Sequence, residues 1–267
     1  MVRAIVAGAA GRMGARIIHM ISASKEVVLT AAFERPGHVA VNQDAGLVAG
    51  LGKLGIRVAG SLAEVVKEGD VLIDFTQADA TLDNAGVAAS NGLALVIGTT
   101  GIAGKALDEL KELLKGCRCV MSPNMSVGVN VMFRIAEEMA EILGKDYDME
   151  ILEVHHRFKK DAPSGTAMRL AQILAAATKR SLDAVAVYER KGMIGERKEE
   201  EIGIQTWRGG DITGEHTVMF GGIGERLELI HRAHNRDNFA RGALKAAAWI
   251  VGRSPGFYDM QDVLGLR

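Results

Sequence analysis

Two imidazoles stand side by side at His155 and His156, and Lys159 follows four residues after the first of them. Imidazole titrates nearest neutrality of all side chains, so it readily donates or accepts a proton, and an ammonium beside it can do the same or hold an anion. Arg157 and Lys160 add positive charge to the run, which closes with Asp161-Ala-Pro-Ser164. Such a cluster suits an anionic small molecule, and a dicarboxylate better than a neutral one. Ser164 is placed to cap a helix starting at Gly165, so the amides of Gly165 and Thr166 can face a carboxylate. One imidazole can then meet the reacting group while its neighbour contacts the ligand or packs.

A second run with chemical potential lies near the start of the chain. Gly8-Ala-Ala-Gly11-Arg-Met-Gly14 follows a short apolar stretch and precedes an amphipathic one. Glycines in that context let the backbone approach a pyrophosphate, which a helix N-terminus then stabilises through its amides and dipole. The spacing is G-x-x-G-x-x-G, with Ala10 where the stricter pattern has its second glycine. Glu34 lies twenty residues beyond Gly14 at the end of another apolar stretch. A carboxylate there can bind an adenine-ribose diol, and Arg35 beside it can pair with the 2′-phosphate of NADP. The two together point to use of both cofactors. Gly98-Thr-Thr-Gly101 and Ser122-Pro-Asn-Met125 end two further apolar runs, where backbone groups can line a nicotinamide and its ribose.

The remaining candidates carry less. His231 and His234 stand three apart without a carboxylate scaffold, so no metal is expected. Cys117 and Cys119 lie two apart on an apparent strand and point to opposite faces, which disfavours a disulfide or a thiol pair on metal. A cysteine-nucleophile dehydrogenase is therefore a weak rival, because neither thiol has a local loop or helix start to activate it. A dinucleotide sensor without catalysis is the other rival, and the intact His155, His156 and Lys159 argue against it. Net charge is −1, which gives no footing for nucleic acid or an anionic membrane. No apolar run is long enough to span a bilayer, and Met1–Gly8 is too short for a signal peptide, so a cytoplasmic location is expected.

Elements must position these groups. Val2–Ala7, Val27–Glu34, Val71–Phe75, Leu93–Ile97 and Arg118–Met121 read as buried strands. Helical patterns at Arg12–Ala23, Leu62–Glu68, Ala78–Asn91 and Ala103–Leu114 alternate with them, which implies parallel βαβ units in a doubly wound sheet. Arg35–Arg57 reads only as a glycine-bearing loop. From about Asn124 the pattern changes: a long helix Val127–Leu143, a strand Asp148–His155, the histidine loop, and a helix from Gly165 to about Lys179. Strands are then expected at Val185–Arg190, Ile202–Arg208, His216–Phe220 and Arg226–Arg232, with Glu196–Glu201 as a solvated turn. That succession predicts a mixed, largely antiparallel sheet covered by two helices. The alanine-rich helix Asn238–Val251 fits either domain by pattern alone. With 267 residues, two domains are expected, and 32 glycines against 4 prolines suit many tight turns and close backbone approaches.

The motifs together resemble the dihydrodipicolinate reductase family. Its pattern E-[LV]-H-H-x-x-K-x-D-A-P-S-G-T-A is matched throughout Glu153–Ala167. The likeness continues through Gly8–Gly14, Ile73–Thr76, Val96–Gly101, Asn124–Asn130 and Gly210–His216, and so covers nearly the whole chain. It departs at Met125, where the family often has phenylalanine, and at Ser122-Pro123, which replaces a small apolar pair. The resemblance implies a Rossmann-like α/β dinucleotide-binding domain (1–126 and 236–267) that recovers the last helix. It also implies an α+β domain (127–235) that binds substrate and assembles a homotetramer through its sheet. Hinges near Asn124–Val127 and Asn235–Asn238 would let the domains close. The activity implied is reduction of a small cyclic dicarboxylate of the diaminopimelate route to lysine by NADH or NADPH. In that scheme His155 and Lys159 are the acid/base pair, and His156, Ser164, Gly165 and Thr166 bind substrate. The cofactor contacts Gly8, Ala9, Ala10, Gly11, Arg12 and Met13, then Glu34 and Arg35, then Gly98, Thr99 and Thr100, and finally Ser122, Pro123, Asn124 and Met125.

Overall fold

A computed structural model describes residues 1–267, which form two compact units. One comprises Met1–Val127 with Arg236–Arg267, the other Gly128–Asn235.

The first unit begins with β1 (Val2–Ala7), α1 (Arg12–Ser22), β2 (Val27–Phe33), α2 (Ala45–Val48), β3 (Val58–Ala59) and α3 (Leu62–Val65). It continues with β4 (Val71–Asp74), α4 (Ala78–Ser90), β5 (Ala94–Ile97), α5 (Lys105–Leu113) and β6 (Arg118–Met121). The second unit holds α6 (Val127–Leu143), β7 (Asp148–His155), α7 (Gly165–Ala177), α8 (Leu182–Val185), β8 (Ala186–Val187), β9 (Ile202–Arg208), β10 (Gly214–Gly222) and β11 (Glu225–Ala233). The chain then returns to the first unit with α9 (Asp237–Ile250), β12 (Gly256–Tyr258) and α10 (Met260–Leu264).

Every strand pair of the first unit is parallel, in the order β12-β6-β5-β4-β1-β2-β3. The chain leaves β1 towards β2 and β3, then comes back to lay β4 on the other side. The crevice outside the ends of β1 and β4 is therefore a topological switch point, where such sheets bind ligands. Burial on both faces explains the unbroken apolar runs. Ala4 and Val6 enter one core with the buried faces of α1 and α9, whereas Ile5 and Ala7 enter the other with α3, α4 and α5. The same alternation splits Val71 and Ile73 from Leu72. Each large aliphatic side chain so buried stabilises the fold by about 1.5–3 kcal/mol. The stretch from Arg35 to Arg57 is organised by one side chain: Asp44 accepts from the amides of Gly46, Leu47, Leu54 and Gly55 at 2.6 to 3.2 Å.

The sheet of the second unit runs β11-β10-β7-β9-β8 and packs one face on α6 and α7 around Ile151, Ile204, Val218 and Phe220. It is mixed, as expected, but more evenly than the strand succession suggested. β7, β10 and β11 are antiparallel, while β7, β9 and β8 are parallel. α7 carries the chain back along β7, so the next strands must run the same way. Only Ala186–Val187 of the strand expected at Val185–Arg190 pairs. Arg190 instead leaves the sheet to bind Glu150 and Glu201, and Arg197 reaches Asp148 and Glu150, so the Glu196–Glu201 turn is strapped down. No helix in either unit is long and apolar enough to cross a membrane.

Candidate active site

The histidine loop leaves the end of β7 and is pinned to the turn between β9 and β10. His156 N–H donates to the Ile212 carbonyl at 2.8 Å, Arg157 N–H to that of Gly210 at 3.2 Å, and Gly209 N–H to that of His155 at 2.9 Å. Alternation along β7 turns Glu153 and His155 to the same face, since they lie two apart. Glu153 is fully buried and its carboxylate gathers donors from the whole loop. His155 Nδ1 lies 2.5 Å from Oε2, and Arg208 makes two bonds of 2.8 Å. Ser164 N–H donates at 2.9 Å and Thr206 Oγ1 at 3.2 Å. Burial resists ionisation of Glu153, but the hydrogen bonds from His155 and Arg208 outweigh it and hold the carboxyl well below the usual carboxylate range.

Ser164 caps α7 as its position suggested, its hydroxyl accepting from Ala167 N–H at 3.2 Å. The first amides of a helix have no acceptor within it, so the Gly165 end of α7 favours an anion. Ser164 Oγ also meets His216 Nε2 at 3.1 Å, and the His216 ring packs edge-on to His155 with centroids 5.2 Å apart. Burial, with the nearby His155, lowers the pKa of His216 to about 3, so this ring is neutral near neutral pH. Lys159 lies across the loop with its ammonium 2.7 and 2.8 Å from the two oxygens of Asp161. His155 and Ser164 are thus joined through one carboxylate, while Lys159 has a separate partner. Gly165 is exposed and Thr166 buried.

In the first unit the glycine turn follows β1 directly. Gly8 adopts φ +62°, and its carbonyl accepts from Gly11 N–H at 2.8 Å. A Cβ at Gly14 would stand 2.0 Å from that same carbonyl oxygen, so only glycine lets α1 start this close to the strand. No side chain caps α1. An uncapped helix start behind a glycine turn is the cradle a pyrophosphate needs, and these residues fit a dinucleotide. Glu34 is buried at the end of β2 and accepts from Ala10 N–H at 3.0 Å and Arg35 N–H at 3.2 Å. It therefore braces the glycine turn from the end of the second strand.

The later strand ends are braced by a carboxylate too. Asp74 is buried at the end of β4 and accepts from Thr76 N–H and Oγ1 at 2.8 and 2.6 Å and from Asn84 at 2.8 Å. Thr81 bridges from it to Thr99 at 2.8 Å. A Cβ at Gly98 would fall 2.2 Å from the Phe75 ring and force that ring to move. Thr100, Pro123, Arg12 and Arg35 are exposed. Ser122 Oγ donates to the Asn124 carbonyl at 2.9 Å. Met125 is 1% exposed and belongs to the core under α9, so only its main chain remains for a ligand. Cys119 is buried in β6, where burial pushes its thiol further from ionisation, which removes it as a nucleophile.

Sequence reasoning gave no role to Glu153, Thr206, Arg208, His216 or Asp74. The two-residue spacing of Glu153 and His155 was a usable signal, since strand alternation places both on one face. Arg208 and His216 come from distant strands, and pairing register alone brings them to β7.

A parallel sheet with this glycine turn and an acid-ended second strand defines a Rossmann-type oxidoreductase, here carrying a second, mixed-sheet unit. Residues 2–125 match the family description "Dihydrodipicolinate reductase, N-terminus", and residues 128–264 match "Dihydrodipicolinate reductase, C-terminus". The chain belongs to the dihydrodipicolinate reductase family. It is 54% identical over the full length of both chains to 4-hydroxy-tetrahydrodipicolinate reductase of Syntrophus aciditrophicus (strain SB). It is 55% identical to the enzyme of that name from Desulfotalea psychrophila, over 100% of this chain and 99% of that one. A solved structure of dipicolinate-bound dihydrodipicolinate reductase from Paenisporosarcina sp. TG-14 shares the fold, with a TM-score of 0.76, 23% identity and 98% of each chain covered.

Proposed function

We propose that this protein reduces 4-hydroxy-tetrahydrodipicolinate to tetrahydrodipicolinate with NADH or NADPH, a step of the diaminopimelate route to lysine. The observation that carries the reading is the shared carboxylate of Glu153, which bonds both the proton-transfer imidazole of His155 and the Ser164 amide at the start of α7. A proton-transfer group and an anion-binding helix end held by one buried side chain suit a dicarboxylate that must be protonated as it is reduced.

A bound dihydronicotinamide supplies the hydride, and the chain does the rest. The Gly8–Met13 turn and the α1 N-terminus hold the pyrophosphate, Glu34 takes the ribose diol, and exposed Arg35 takes the 2′-phosphate when it is present. Gly98–Thr100 and Ser122–Met125 line the nicotinamide end. In the second unit, Gly165, Thr166, Ser164 and His156 hold a substrate carboxylate. Loss of the 4-hydroxyl as water leaves the unsaturated ring, and as a hydride adds to it negative charge gathers there. The ammonium of Lys159 favours that charge, and Lys159 with His155 delivers the proton. Residues 1–126 and 236–267 thus serve as the dinucleotide-binding domain and 127–235 as the substrate-binding one.

The test is turnover in the presence of freshly condensed pyruvate and aspartate semialdehyde. The wild-type protein is expected to oxidise both NADH and NADPH. Lys159→Ala should lose about 100- to 10,000-fold in kcat, with cofactor affinity unchanged by fluorescence titration. Turnover surviving Lys159→Ala largely intact would remove Lys159 as proton donor, and no oxidation of either cofactor by the wild type would sink the reductase reading.

A further inference from the structure

The catalytic role proposed for His155 needs one ring nitrogen pointed at the substrate in a defined protonation state, and spacing in the sequence cannot say which. We propose that Glu153 is the positioning residue of this site: it fixes His155 as the tautomer with the proton on Nδ1 and Nε2 bare, and ties that ring to the anion-binding start of α7. The inference rests on the reductase reading and adds a residue to it.

Five observations meet here. Glu153 is fully buried and accepts the bidentate Arg208 pair at 2.8 Å, which keeps it an ionised, acceptor-only group. A carboxylate of that kind 2.5 Å from His155 Nδ1 requires the proton of the neutral ring to sit on Nδ1. The bare nitrogen is then Nε2, and it faces Gly214, where even a Cβ would come within 2.9 Å. Any larger residue at that position would crowd this nitrogen. The carboxylate's Oε1 meanwhile receives Ser164 N–H at 2.9 Å, so the imidazole and the helix start share one anchor. His216 stacks edge-on against His155 from the next strand and stops the ring from turning away.

In Glu153→Gln the amide oxygen can still accept from Arg208 Nη2 and Ser164 N–H, while the amide nitrogen presents N–H to Nδ1 and gives up the second Arg208 bond. The ring should then switch to the Nε2–H tautomer. The readout is the nitrogen chemical shifts of His155 in histidine-labelled protein, assigned against His155→Gln. Wild type should show a protonated Nδ1 and a bare Nε2, and Glu153→Gln the reverse. Glu153→Asp, which remains an acceptor, should restore the wild-type pattern. Kinetically, Glu153→Gln should lose about 100- to 10,000-fold in kcat with KM for cofactor unmoved, the scale of losing general acid–base help or the carboxylate behind a catalytic histidine. In the His155→Gln background the same substitution should cost less than about twofold, since its target is gone.

A purely structural Glu153 would give the same loss in both backgrounds and no tautomer change, and that result overturns the proposal. Should Glu153→Gln fail to fold, the wild-type shifts alone decide: a bare Nδ1 refutes the assignment. Because the shifts need no turnover, a failure of the reductase reading would show as an inactive wild type, separately from this one.

Discussion

Glu153 is a buried anion that takes Arg208 and Thr206 from the neighbouring strand β9, and its isolated burial would cost several kcal/mol if Arg208 did not pair with it. His216 solves the converse problem by staying neutral, with Nε2 on Ser164 Oγ. The linkage has a definite sign. An unfolded chain protonates His216 near its ordinary value of 6.5, the folded chain only near 3. Folded stability therefore falls as pH drops from about 6.5 towards 3, with the penalty complete below that. His216→Asn removes the titration and keeps a polar group beside Ser164. The difference in urea midpoint between wild type and His216→Asn should narrow steadily from about pH 7 to about pH 4, and a difference constant across that range would refute the buried neutral histidine. At this scale the sequence shows the candidate groups for the chemistry, because His155, Lys159 and Ser164 lie within one ten-residue run. It hid those that hold them, because Arg208 and His216 reach the site only through strand register.

At the scale of elements, the strands that were legible are those buried on both faces. β1, β4 and β5 are continuous apolar runs because each side chain enters one core or the other. The helix ends fall close to their expected limits, as with Ala78–Ser90 against Ala78–Asn91. What escaped notice is short or held by side chains rather than by periodicity. α2 exists because Asp44 caps it and also ties in Leu54 and Gly55 from the far side of the loop. β12 and α10 are three and five residues long, too short for a periodic pattern. The Asp259/Asp262 capping box at α10 was nonetheless readable in principle as an acid repeated three residues on. The parallel course of β9 follows from α7 acting as a crossover as well as cover for the sheet, which the strand succession alone does not encode.

For the whole molecule, the return of the chain from one unit to the other has a packing cause. Gly242 on α9 lies so close to Met125 that a Cβ would come 1.7 Å from its carbonyl oxygen, so α9 docks on the first unit through a position only glycine can fill. No helical pattern encodes that choice. The second unit leaves a sheet surface with Trp207 60% and Ile230 41% exposed, larger apolar groups than a solvated strand needs. Their place on the sheet is where the homotetramer expected from the family resemblance would assemble. Light scattering should read four subunit masses, and Trp207→Glu should lower the value; a monomer in the wild type would remove the assembly from the account. The central claim is hydride transfer to the ring held by the His155–Thr166 loop. Its most direct measurement uses nicotinamide cofactor deuterated at the transferring carbon, with the reduced product weighed by mass spectrometry after a single turnover. The account predicts one deuterium in the tetrahydrodipicolinate formed by the wild type and none formed by Lys159→Ala on that timescale. Product without the label, or label kept on the cofactor while substrate disappears, would contradict it.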